Sequence, residues 1–227
     1  MEAQRVGLDM FKGLLSPDVR SAHLLVFGAA FGSQAFLTFV GAPIMYSELP
    51  RQQFGNLMKK LFPTYFSYNG LAAAFLVGSL AWDNAVVRKH PFDIFDATVY
   101  QAFTLATVAA ANLINALAIG PASYKLQDER HRQEAAEGKS YDDAGVSDKM
   151  QKLNKEFAGL HSISTLLNIA SIGGLGFHAL VRSSFVDLVL VWVLVFFFSL
   201  LPIVARADML ETVINDVILT VDSPKIW

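Results

Sequence analysis

Three histidines, His23, His161 and His178, fall within or beside long apolar stretches of the chain. Neutral imidazole ligates haem iron and transition metals, so two of these rings on different helices are candidates for an axial pair or a metal site. His23 stands near the start of the first apolar stretch and His161 near the start of the fourth, and those two stretches begin on opposite sides of a membrane. They are therefore poorly placed to share an iron. His178, at the far end of the fourth stretch, is nearer His23 in depth. The plainer use of each ring is a hydrogen bond between helices or to an interfacial carbonyl. The expectation is accordingly no cofactor, with bound lipid as the only small-molecule company.

A second polar set consists of Gln34, Asn69, Asn112, Asn115, Ser164 and Asn168, all inside apolar segments. Polar side chains in lipid are costly unless satisfied, so they either line a path for a small solute or tie helices together at about 1 kcal/mol each. No Asp, Glu, Lys or Arg stands in the middle of any of these segments, so the usual carrier of an ion relay is missing. Asp83, Asp93 and Asp96 surround a loop containing His90, which reads as solvated loop charge rather than a metal site. There is no glycine-rich phosphate loop, no H-E-x-x-H and no G-x-S-x-G. No catalytic or metal residues are assigned, and the chain does not read as an enzyme.

The elements that carry these residues are set by composition. Of 227 residues, 53% are hydrophobic and 17% charged, against about 25% charged in an ordinary soluble domain. Mean hydropathy is positive, and a net charge of −2 leaves no basic footprint for nucleic acid. Cysteine is absent, which removes disulfides and thiolate chemistry. The fold class is all-α: a polytopic membrane helix bundle with a four-helix core and a fifth, C-terminal transmembrane helix. Residues 1–20 read as a surface amphipathic segment without the apolar core of a signal peptide.

Spans are expected at about 22–46, 65–87, 95–119 and 157–181, and a fifth within 183–206. A stretch of about 20 apolar residues at 1.5 Å per residue crosses a hydrocarbon core of about 30 Å. Gly28 and Gly32 in the first span, and Gly70, Ala74 and Gly78 in the second, form small-xxx-small faces for close packing. Pro43 is expected to end or kink the first span, and residues following Pro50 to form a separate interfacial helix. In the fourth span positions 161, 164, 168 and 171 share an inward face. Residues 123–155 form a long polar loop: a helical extension, a turn near Gly138 to Gly145, and a helical lead into the next span.

The tail, residues 207–227, places Leu210, Ile214, Val217 and Val221 at helical spacing among acidic residues. That combination suits a protein groove better than an anionic lipid surface, so other membrane-protein subunits are the expected partners beside lipid. Arg5, Lys12, Arg20, Arg88, Lys89 and Arg182 fall on one side of the membrane and every other Lys and Arg on the opposite side. The positive-inside rule puts the long loop and the C-terminus in the cytoplasm or matrix.

Residues 21–180 resemble the transmembrane protein 205-like family of small polytopic membrane proteins. The resemblance rests on His23-Leu24-Leu25-Val26, Gly32-Ser33-Gln34, Thr38-Phe39-Val40 and, above all, Leu49-Pro50-Arg51-Gln52-Gln53-Phe54-Gly55. It continues through Lys60-Leu61-Phe62-Pro63-Thr64-Tyr65-Phe66, Thr104 to Val108, Asn112, and His161 to Asn168. Gly120-Pro121 stands where family members tend to have an acidic residue before the proline, and Ser162 where many have glycine. The resemblance implies a four-helix membrane core and no reaction. The first expectation for function is an accessory subunit of a larger membrane complex, with the mitochondrial inner membrane and its respiratory chain the first guess for place. A small-solute transporter or channel is the alternative, and a haem-binding membrane protein the third.

Overall fold

The computed structural model describes residues 18–182. The expected surface segment up to residue 17, the fifth span, and the acidic tail with Leu210, Ile214, Val217 and Val221 lie outside the described residues. Among the described residues all regular structure is helical, without a strand.

Helix α1 spans Val19–Glu48. It is started by Asp18, whose carboxylate accepts from the Arg20 N–H. Helix α2 runs Arg51–Asp83 and the short α3 runs Ala85–Lys89, the two separated by Asn84 in an extended conformation. Helix α4 spans Ala97–Glu137, with the Asp96 carboxylate accepting from the Thr98 and Val99 N–H groups. Gly138 closes α4 at φ 65°, where a side chain would be strained. Helix α5 runs Asp148–Arg182.

One expectation about local structure is narrowed and another corrected. Of an end or a kink at Pro43, the end does not occur, because α1 passes into a π turn at Leu37–Gly41 and then continues. The same device recurs in α4, where a π turn at Asn115–Ile119 precedes Pro121. A proline ring clashes with the carbonyl four residues earlier. In both helices that carbonyl, of Phe39 or Leu117, lies inside the widened turn, which relieves the clash. The separate interfacial helix is also absent. Pro50 caps a single helix of 33 residues that carries Pro63 in its interior, so connector and span are one rod.

Helices α1, α2, α4 and α5 follow one another round a bundle, and α5 closes it against α1. The core is built from Phe27, Ala30, Ala73, Leu76, Leu80, Val99, Leu105, Val108 and Leu175. Leu25, Leu71, Trp82, Leu117 and Leu166 cover the outside. Apolar outside and amides inside is the arrangement a lipid solvent selects.

Helices α1, α4 and α5 are each long and apolar enough to cross a membrane. Helix α2 packs between α1 and α4, but Tyr65, Tyr68 and Asn69 dilute its apolar stretch. The small-residue faces are used only in part. A Cβ on Gly70 would lie 2.9 Å from Leu113 Cγ, so α2 and α4 touch closely there, whereas one on Gly28 or Gly78 meets nothing within 4 Å among the described residues. Ala74 is exposed and Gly32 half-buried. The physical reason is helical pitch: residues four apart drift about 40° per step. The seam against the bundle instead runs Gly70, Ala73, Leu76 and Leu80.

Candidate functional site

The interior polar residues assemble into a column between the helices. At one end, His23 on α1 and His178 on α5 meet through their Nε2 atoms at 3.0 Å, and His23 Nδ1 lies 2.7 Å from Ser79 Oγ on α2. Phe27 lies against the His178 ring, with centroids 5.7 Å apart. Just outside this group Arg20 and Asp83 form an ion pair at 3.0 Å, joining the start of α1 to the end of α2.

The column continues inward through Asn112, Ser171 and Gln34. Asn112 Nδ2 donates to Ser171 Oγ at 2.7 Å, and Ser171 Oγ donates to Gln34 Oε1 at 2.9 Å, so one chain of hydrogen bonds links α4, α5 and α1. Asn69 Oδ1 accepts from Ser33 Oγ at 3.2 Å, and its Nδ2 donates to the Tyr65 carbonyl at 2.8 Å. Asn168 donates to Thr38 Oγ1 at 2.8 Å and accepts from the Tyr65 hydroxyl at 2.9 Å. Asn115 Nδ2 reaches the Ser164 carbonyl at 3.2 Å. Thr38 belongs to the π turn of α1, and Asn115 opens that of α4. The two widened turns therefore aim polar side chains inward as well as accommodating prolines.

The hydrogen bonds do not use every polar atom. Gln34 Nε2, Asn112 Oδ1 and Asn115 Oδ1 are buried without a partner, and so is Gln101 Oε1 near the start of α4. Gln34, Asn112 and Asn115 are each at most 1% exposed. Leaving such an atom unmet costs about 1–3 kcal/mol.

His161 is the correction in this set. It is exposed and stacks on Phe157 with ring centroids 6.0 Å apart, while the inward face of α5 runs Ser164, Asn168, Ser171, Leu175 and His178. Alternating steps of four and three keep that face on one seam, and His161 begins it one step too far toward the polar end. Ser33, Thr38, Tyr65, Ser79 and Gln101 belong to the column without having been singled out, whereas Ser171 takes the inward place that its spacing indicated. The three-four spacing on α5 and the hydroxyl at Ser79 were the available signals. His23 and His178 touch directly, with no iron-sized gap between them. Of the loop acids, Asp83 pairs with Arg20, Asp96 caps α4 and Asp93 accepts from the Phe95 N–H.

The opposite end is charged. Arg51, first residue of α2, pairs with Glu134 on α4, and Glu134 Oε1 also accepts from the Tyr141 N–H at 2.9 Å. The guanidinium groups of Arg51 and Arg130 each lie 4.3 Å from the centroid of the Tyr141 ring, and Arg130 also covers Phe157 at 4.6 Å. Burial holds the Arg130 guanidinium below its ordinary pKa, against the opposing pull of Tyr141. Lys59 pairs with Asp128 at 2.6 Å, and Gly55 lies so close to Gln127 that a Cβ would be 2.5 Å from its Nε2. The segment Leu49 to Gly55 is thus what docks α2 onto the polar extension of α4. A cleft of about 320 Å³ borders Arg51, His131, Glu134 and Lys139. Its charges are largely met internally, since Arg51 holds Glu134 and Lys139 donates to the Gly145 carbonyl at 2.9 Å.

Fold and column together define a helical protein with membrane-spanning helices around a neutral polar interior. Residues 25–132, covering most of α1 through most of α4, match a family described as "Domain of unknown function (DUF4149)". The chain is also 26% identical over 154 residues to "Xanthocillin biosynthesis cluster protein D" of Aspergillus fumigatus, covering 66% of this chain and 80% of that protein. No solved structure matches the chain.

Proposed function

We propose that this chain is a non-catalytic, multi-pass membrane protein whose bundle passes a small, uncharged polar solute along the column of Gln34, Asn112, Asn115, Ser171 and Asn168. In this reading α1, α2, α4 and α5 are four spans of a transmembrane protein 205-like core, and residues 183–206 add a fifth. The observation that carries it is the set of unmet amide atoms, Gln34 Nε2, Asn112 Oδ1 and Asn115 Oδ1, at the centre of the bundle. Interhelical ties alone have no use for a buried donor and acceptors left open, whereas a solute with a hydroxyl or amide would complete them. The relative in a biosynthesis cluster is compatible with a membrane role beside small-molecule chemistry. The test is osmotic swelling of proteoliposomes with water, urea and glycerol as probes. Permeation above that of empty vesicles is expected, with a drop of at least about tenfold in Asn112→Leu, the change produced by about 1.4 kcal/mol. Wild-type vesicles no more permeable than empty ones overturn the reading.

A second reading, an accessory subunit of a larger membrane complex, is favoured by the outward small-residue surface at Gly28, Ala74 and Gly78, which leaves room for another helix to approach. Its first location is an organellar energy-converting membrane, the mitochondrial inner membrane foremost. Mild detergent extraction should then give a large assembly. Migration only as a free monomer counts against it.

A further inference from the structure

The amides left open inside the bundle have fixed orientations, and those orientations decide what can meet them. A backbone carbonyl only accepts, so Asn112 turns its Nδ2 to the Val108 carbonyl at 2.9 Å, and Asn115 turns its Nδ2 to the Ser164 carbonyl at 3.2 Å. Reversing either amide would set two acceptor oxygens face to face. The atom left over on each is therefore Oδ1. The second Asn112 N–H goes to Ser171 Oγ, which gives its own single hydrogen to Gln34 Oε1. What remains of Gln34 is the donor, Nε2.

These atoms belong to one stretch of the column. Ser171 is bonded to Asn112 on one side and Gln34 on the other, and Asn115 follows Asn112 by three residues, a neighbour on the same helix surface. Gln101 Oε1, also unmet, stands eleven residues before Asn112. That separation returns to the same face of α4 within about 20°, about 16 Å back along the helix. Asn69 and Asn168, by contrast, have both the nitrogen and the oxygen of their amides engaged.

We propose that the column selects solutes carrying at least two N–H or O–H hydrogens beside one acceptor oxygen, the pattern of urea and the simple primary amides, and that Asn112 and Asn115 set this selectivity. The solute gives hydrogens to Asn112 Oδ1 and Asn115 Oδ1, and its oxygen accepts from Gln34 Nε2. A solute with one such hydrogen leaves a buried acceptor unmet, and that deficit is not repaid by water in a lipid-facing bundle. The inference rests on the solute-path reading and narrows its solute from any small polar molecule to a double donor.

The test uses the full chain in proteoliposomes with urea, acetamide and N-methylformamide as probes. Each is uncharged, with four non-hydrogen atoms and one carbonyl, but they carry four, two and one N–H hydrogens. Size and charge are thereby held constant while the number of donors changes. With passage through empty vesicles subtracted, urea and acetamide should cross at least about tenfold faster than N-methylformamide, the scale of ratio that one unmet buried acceptor produces. Asn115→Leu removes one acceptor and should erase most of the preference for acetamide, read as a ratio so that a lower overall rate does not obscure it. Equal wild-type rates for acetamide and N-methylformamide, or passage of urea without acetamide, overturn the inference and leave the path standing. A preference retained in Asn115→Leu overturns the role given to the asparagines. A wild type that passes none of the three overturns path and inference together, and the wild-type ratio decides the matter even where the variant misfolds.

Discussion

The two polar regions of this molecule hold their helices by opposite means. The column inside the bundle uses neutral groups: amides, hydroxyls and a pair of imidazoles. The extension formed by the start of α2, the end of α4 and the start of α5 uses full charges, Arg51 with Glu134 and Lys59 with Asp128, and guanidinium groups stacked on Tyr141 and Phe157. The difference follows the solvent. An unpaired charge in a low-dielectric interior is far costlier than an unpaired amide, so charge is kept where water reaches at least one partner. Arg51 is 35% exposed although Glu134 is 6% exposed. One consequence is that the extension should be sensitive to single substitutions that strand a charge, and the column to those that change volume.

The largest effect is expected at Glu134. Glu134→Ala leaves Arg51 without its carboxylate and should destabilise the extension by about 3 kcal/mol, read as a lower unfolding midpoint in lipid–detergent micelles. A midpoint equal to wild type would erase the contrast between the regions. Next come the close contacts beside the column. A Cβ on Gly174 would lie 2.7 Å from Val108 Cγ2, and that stiff neighbour cannot swing away. Gly174→Ala should cost about 1–3 kcal/mol and Gly70→Ala somewhat less, against a change within about 0.5 kcal/mol for Gly78→Ala, whose Cβ meets nothing within 4 Å among the described residues. Equal effects at the three positions would mean that the seam had been wrongly drawn.

A smaller effect is expected at the outer pair. Lys59 and Asp128 are 36% and 42% exposed, so Lys59→Ala should lower stability by about 0.2–1 kcal/mol, and the loss should shrink in high salt. The smallest is local and depends on pH. Hydrogen bonds from Ser147 and Gln133 hold the Glu137 carboxyl below its ordinary pKa. A depressed carboxyl contributes stability that is present above its unfolded pKa and is lost as pH falls through its folded pKa. The protection of the Ser147 amide, which donates to Glu137 at 3.1 Å, relative to its intrinsic exchange rate should therefore fall as pH drops below the usual glutamate range of about 4.3. Glu137→Gln should remove that pH dependence.

Much of this was legible in the chain before any coordinates. Uncharged runs marked helices that enter lipid, Gly138 marked the end of α4, and the buried amides were recognisable as polar residues in apolar surroundings. Depth along the spans brought His178 toward His23. The rotation of each helix about its own axis was not legible. Gly70, Ala74 and Gly78 looked like one face, and only the packing of α2 against α4 separates them. His161 lies on the inward-facing seam of α5 by its spacing, but it stands one step too far toward the polar end and is exposed. The π turns were also hidden, because the sequence shows a proline but not that the turn before it widens to take up the carbonyl it displaces.

What the sequence by itself determined is the solvent for each stretch, since transfer of apolar and charged groups depends on composition and length alone. What only the tertiary structure decided is partnership: that His23 meets His178 through Nε2 while Ser79 occupies Nδ1, and that Gln34, Asn112 and Asn115 share an interior with atoms left over. Hydrogen bonds act over about 3 Å, and residues separated by 155 positions come that close only when helix rotation, depth and packing are set together.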